Sequence, residues 1–114
     1  MGNILSQGSW WILNKALTLA LGLDASYLLS DLTSRHEYWE RVGELTKDGY
    51  FFCTKDQIEK DTSLSPYKQT EAVKVLVEAG LLQTKRMGNP AKLYYQLNFK
   101  NINSLLYKFH SKKK

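Results

Sequence analysis

The sequence predicts a single α+β domain, helices supporting a small sheet, from three observations. The 114 residues, 43% of them hydrophobic, suffice for one compact core and are too few for two. Apolar residues recur at helical spacing over most of the first 42 positions and again in later stretches. Between and after them, short aromatic or apolar runs bounded by turn residues read as strands: Tyr50-Phe51-Phe52-Cys53, and two runs on either side of Gly88-Asn89-Pro90-Ala91.

The first helix is expected over about residues 9–21, with Leu13, Ala16, Leu17, Ala20 and Leu21 on one face and Gly22 as its stop. A second follows almost at once. Asp24 is a candidate N-cap, and Ala25, Leu28, Leu29, Leu32, His36 and Trp39 repeat at helical spacing to about residue 42. The period ends in a loop over 43–49, where Asp48-Gly49 signals a turn before the strand at 50–53. Thr54 with Gln57 three residues on fits a capping box for a short helix to about residue 61, with Ile58 as its core contact.

Thr62-Ser63-Leu64 makes a turn, and Ser65 with Pro66 supplies an N-cap and an N1 proline for the next helix. That helix is expected to bury Ala72, Val73, Leu76 and Ala79 and to stop at Gly80. Strands over 81–87 and 92–99 then flank a hairpin tip that its proline makes wider than a two-residue turn. A last helix over about 101–110 spaces Ile102, Leu105, Leu106 and Phe109 on one face, and Lys112-Lys113-Lys114 close the chain as a basic tail over 111–114.

The order is α-α-β-α-α-β-β-α in one domain over 1–110. A short helix, a brief turn and a longer helix, over about 55–80, lead directly into a basic hairpin over 81–99, the arrangement called a winged helix-turn-helix. Charge marks the same boundary. Residues 1–63 hold six Lys/Arg against nine Asp/Glu, a net −3, whereas residues 64–114 hold ten against two, a net +8. A basic field confined to the half with the second helix and hairpin points to a polyanion, nucleic acid before a membrane surface.

The longer helix is expected to present its N-terminal turns to the major groove of double-stranded DNA. Ser65, Tyr67, Lys68, Gln69, Thr70, Glu71 and Lys74 are the candidate contacts there: lysines for phosphate or guanine, Gln69 and Thr70 for hydrogen bonds, Tyr67 for phosphate or a thymine methyl, Glu71 for cytosine. In the hairpin, Lys85, Arg86, Asn89 and Lys92 are the candidates for the minor groove or the backbone, since no acidic residue follows Glu78.

These residues resemble a family. Leu64 to Leu82, with Leu-Ser at the turn, apolar Ala72, Val73 and Leu76, and Gly80-Leu81-Leu82 at the close, is similar to the recognition helix of MarR-type winged-helix proteins. A wider pattern resembles the amino-terminal DNA-binding domains of phage and plasmid replication proteins of Gram-positive bacteria. It runs from Leu21-Gly22-Leu23-Asp24-Ala25 through Asp48-Gly49-Tyr50-Phe51 to Gly88-Asn89-Pro90-Ala91-Lys92-Leu93-Tyr94-Tyr95, covering roughly residues 12–99. In those replication proteins the domain usually precedes another; here a small stand-alone DNA binder is the expectation.

Other chemistries find little support. His36 and His110 lie in different expected helices without metal-ligand spacing, and Cys53 sits among aromatics with no base beside it, so neither a metal site nor an enzyme is expected, and no cofactor. The lone cysteine fits a reducing, cytoplasmic setting, at the nucleoid when DNA is bound. The apolar run 10–23 is broken by Asn14, Lys15 and Thr18 and falls short of the roughly 20 residues a bilayer needs. The opening MGNILS matches the loose N-myristoylation pattern, which matters only in a eukaryotic host.

Trp10, Trp11, Leu13, Leu105, Leu106 and Phe109 make both ends apolar enough to join two copies, so a homodimer with paired recognition helices is expected. Three functions therefore compete: a sequence-specific transcription regulator, an origin-binding or replisome-organising module, and a module that grips a protein partner.

Overall fold

The structure, a computed structural model, describes residues 15–111. Five helices and a three-stranded antiparallel sheet alternate along the described chain as α1 (Lys15–Leu21), α2 (Leu23–Arg41), β1 (Phe51–Phe52), α3 (Lys55–Thr62), α4 (Pro66–Glu78), β2 (Leu82–Met87), β3 (Lys92–Leu97) and α5 (Phe99–Ser111). The sheet order is β1-β3-β2, with Phe51 opposite Tyr95, Phe52 opposite Tyr94, and β2 paired with β3 from Leu82–Leu97 to Met87–Lys92. β1 is shorter than the four residues expected.

Gly22 both ends α1 and opens α2. Its φ of +93° turns the chain, its N–H donates to the Thr18 carbonyl and its own carbonyl accepts from Ser26. Glycine takes this backbone at little cost, so Gly22 is the N-cap and Asp24, the expected cap, instead sits in the first turn of α2. There its carboxylate still complements the positive end of the helix. Ala20, expected on the inner face of α1, is exposed; Leu17 is buried and Leu21 partly so.

One core joins both halves of the chain. Leu28, Leu32, Phe51, Ile58, Leu76, Leu81, Leu82 and Tyr95 are its most buried side chains, and α2 packs against α1, α4, β1 and β3. Each buried aliphatic side chain contributes about 1.5–3 kcal/mol of burial free energy. α4 ends in a Schellman motif: Leu81 N–H donates to the Leu76 carbonyl and Gly80 N–H to that of Val77, with Gly80 at φ +77°. The motif buries Leu81 against Leu76 and leaves Ala79, expected in the core, as an exposed C-cap.

α5 starts earlier than expected because Asn98 caps it. The Asn98 Oδ1 accepts from the Asn101 N–H at 2.9 Å, and its carbonyl accepts from Ile102. Asn101 in turn donates to the Gly80 carbonyl at 2.7 Å, tying the start of α5 to the end of α4. Ile102 is buried, and Leu105 and Leu106 lie partly buried against the same core.

Candidate nucleic-acid interface

The short-helix, turn, long-helix unit is built as its capping residues dictate. Thr54 and Gln57 form a reciprocal capping box at α3, Ser63 turns the chain at φ +66°, and Ser65 Oγ accepts from the Lys68 N–H at 3.2 Å at the head of α4. Pro66 occupies the N1 position, where its missing N–H costs nothing.

Gln69 is not on the outer surface. It is 1% exposed, and its Nε2 donates to the Lys55 carbonyl at 2.9 Å and to the Leu64 carbonyl at 2.8 Å. Both acceptors are main-chain groups of the α3–turn segment, so Gln69 joins α3 to α4 and fixes the angle at which α4 is presented. The expected base contact is replaced by an internal clamp.

Thr70 is half-buried and also engaged: its Oγ1 donates to the Pro66 carbonyl and accepts from Lys55 Nζ at 2.6 Å. Lys55, not singled out from the sequence, thus brings a cation from the first turn of α3 beside the first turn of α4. Its position directly after the capping threonine was the signal for that placement.

The rest of the α4 set stands outward. Tyr67 is 72% exposed, Lys68, Glu71 and Lys74 are exposed, and Lys74 Nζ lies 3.3 Å from Glu71 Oε2. With Glu78 also exposed, the outer face of α4 balances two lysines against two glutamates. Both members of the Lys74–Glu71 pair are well solvated, so the pair is worth under about 1 kcal/mol and opens readily. Tyr67, Lys68, Glu71 and Val75 further border an open apolar groove of about 480 Å³ against the α1–α2 junction at Leu21–Ala25.

The hairpin divides its cations between two faces. Lys85 lies over the Tyr50 ring, Nζ 5.4 Å from the centroid, and Lys92 over the Phe52 ring at 5.1 Å. Side chains alternate along a strand, so Arg86 points to the opposite side from Lys85. That is the side of Tyr95, whose phenol burial pushes up to about 12, with Arg86 among the charges acting the other way. Asn89 is exposed at the tip beside Gly88, which holds φ +92°.

Of the residues expected to join two copies, Leu105 and Leu106 pack partly buried on their own core. Trp10, Trp11 and Leu13 lie outside the described residues, as does the side chain of Phe109.

A cavity of about 350 Å³ between α2 and α3 holds Asp31, Arg35, Cys53 and Asp61. Arg35 bridges Asp31 and Asp61, each at 2.7 Å. Burial raises Asp31 above the usual carboxylate range despite that partner. Burial also pushes the Cys53 thiol up to about 11, so it is protonated at neutral pH rather than a thiolate. Among the described residues no group of His, Cys, Asp and Glu could hold a metal ion, and no helix is long and apolar enough to cross a membrane.

No family model matches the chain, and no curated protein does. A solved structure described as the N-terminal domain of a DNA binding protein is similar to it, with a TM-score of 0.69 and 18% sequence identity, over 100% of this chain and 93% of that one. At that identity the likeness shows a shared fold.

Proposed function

We propose that the chain is a winged helix-turn-helix protein that binds double-stranded DNA, with α4 as the recognition helix and the β2–β3 hairpin as its wing. The observation that carries this reading is the head of α4: a Ser65-capped N-terminus, held by Gln69, that turns Tyr67, Lys68 and Lys74 outward with Lys55 alongside. A helix start of this kind offers backbone amides to phosphate and side chains to base edges. The hairpin adds Lys85, Arg86 and Lys92 for the backbone or minor groove. The fold-level likeness to a domain of a DNA binding protein supports the same reading.

The activity is binding rather than catalysis, in the cytoplasm and at the nucleoid, as a small sequence-specific regulator of a bacterium, phage or other mobile element. A homodimer joined through the terminal helices would set two α4 helices one turn of DNA apart. Selection of duplexes from a random pool tests this: enrichment of a defined, two-fold-related site is the expected result. A pool that stays random while binding collapses with salt would refute sequence reading.

A further inference from the structure

The face of the sheet opposite Phe51 and Tyr95 forms a second surface, whose β1 edge at Phe52 borders the Arg35 cavity. Strand alternation and register place Phe52, then Lys92, Tyr94 and Gln96, then Gln83 and Lys85 on that side, none of them acidic, with the buried Tyr50 ring beneath Lys85. One row crosses all three strands as Phe52, Tyr94 and Lys85. The Phe52 and Tyr94 rings are half-buried neighbours with centroids 5.6 Å apart. Lysines sit on the rings themselves, Lys92 over Phe52 and Lys85 over Tyr50.

We infer that this face binds single-stranded DNA, with unpaired bases stacking on Phe52 and Tyr94 and with Lys85 and Lys92 moving from the rings to the phosphates. Ring faces interleaved with cations are what a single strand requires: stacking tolerates any base because every base has a π-face, and lysines follow the backbone. A duplex buries its base faces and cannot use these rings. The register sets the path of the strand: the row Phe52, Tyr94, Lys85 crosses from the β1 edge over β3 to β2.

This surface is separate from α4 but shares Lys85 and Lys92 with the proposed wing, so what distinguishes it from duplex binding is base stacking on Phe52 and Tyr94 rather than charge. If both operate, the protein holds a duplex on one side and an opened strand on another, which suits an origin-binding module better than a simple regulator.

The test is fluorescence anisotropy at moderate salt with a labelled oligothymidylate of about 12 nucleotides, within the site sizes of stacking surfaces. An abasic oligomer of the same length and charge is the control. Oligothymidylate binding about tenfold or more tighter than abasic is the expected result. Tyr94→Leu and Phe52→Leu should each remove most of that difference while leaving binding of the abasic oligomer, which reads the lysines alone, nearly unchanged, and Tyr94→Phe should keep it. Lys74→Ala should weaken duplex binding alone. Equal affinity of the unmutated protein for the two oligomers would overturn the inference without recourse to any variant. Leucine variants that keep their circular dichroism spectrum and retain the preference for bases would overturn it as well.

Discussion

The outer face of α4 and the β2–β3 hairpin present cations in different company. On α4, Lys68 and Lys74 are balanced by Glu71 and Glu78, and Lys74 is paired to Glu71. In the hairpin, Lys85, Arg86 and Lys92 have no carboxylate among their strand neighbours, and two of them rest on aromatic rings. A charge-balanced helix gains little from phosphate as such and must rely on which groups it meets. An unbalanced hairpin attracts any backbone. On the proposed function, the division would give discrimination to α4 and general affinity to the hairpin.

The largest way to break the comparison is to remove the support that both regions share. Leu76 is fully buried at the centre of the core and meets Leu81 in the turn that leads from α4 into the hairpin. Leu76→Ala should cost about 2–5 kcal/mol, read as a lower midpoint in thermal or urea unfolding. Both surfaces should then lose activity together as the folded fraction falls.

A smaller and more selective break is at Gln69. Gln69→Ala leaves the Lys55 and Leu64 carbonyls without their donor, at a cost of about 1–3 kcal/mol. Because the clamp acts only between α3 and α4, the folded variant should lose sequence preference in duplex binding while its hairpin contacts persist. Retention of full discrimination among duplexes would mean that the angle of α4 is set elsewhere.

Arg86→Ala and Lys74→Ala sharpen the comparison at still smaller cost. Each should weaken duplex binding and reduce the salt slope by about one counterion. Arg86→Ala should do so equally for preferred and random duplexes, whereas Lys74→Ala should act more on the preferred one. Anisotropy titrations across a salt series on both duplexes decide this, and identical profiles for the two variants would remove the proposed division.

Much of this arrangement is legible in the sequence. The Thr54–Gln57 box, the Ser65-Pro66 start and Gly80 are local devices whose chemistry determines a helix end from neighbouring residues alone, and each stands where it was read. What was missed depends on company from afar or on reading polarity too literally. Gln69 lies three positions before Ala72 and seven before Leu76, on the buried stripe of α4, so periodicity argued for burial while polarity argued for contact. The carbonyls that accept from it belong to another segment, which no local rule supplies. The division of Lys85 and Lys92 from Arg86 needs strand register, and the cap at Asn98 displaced the expected start of α5 because strand and helix meet there within two residues.

Glu71 offers the smallest and most informative change. It is the carboxylate that restrains Lys74, at 3.3 Å between exposed partners, so its removal should leave stability nearly unchanged. Glu71→Gln keeps the length of the side chain but exchanges one acceptor oxygen for a donor amide and shifts the outer face of α4 from balanced to net positive. Affinity for random duplex should rise by a few tenths to about 1 kcal/mol, with a steeper salt slope, because a phosphate no longer meets a like charge. If Glu71 also accepts from a cytosine amino group, affinity for the preferred site should rise less than affinity for random duplex, and the ratio between them should fall. A uniform rise for all duplexes would make Glu71 only a charge restraint. A fall for the preferred site alone would make it a reader, and α4 would then discriminate through its carboxylate as well as its lysines.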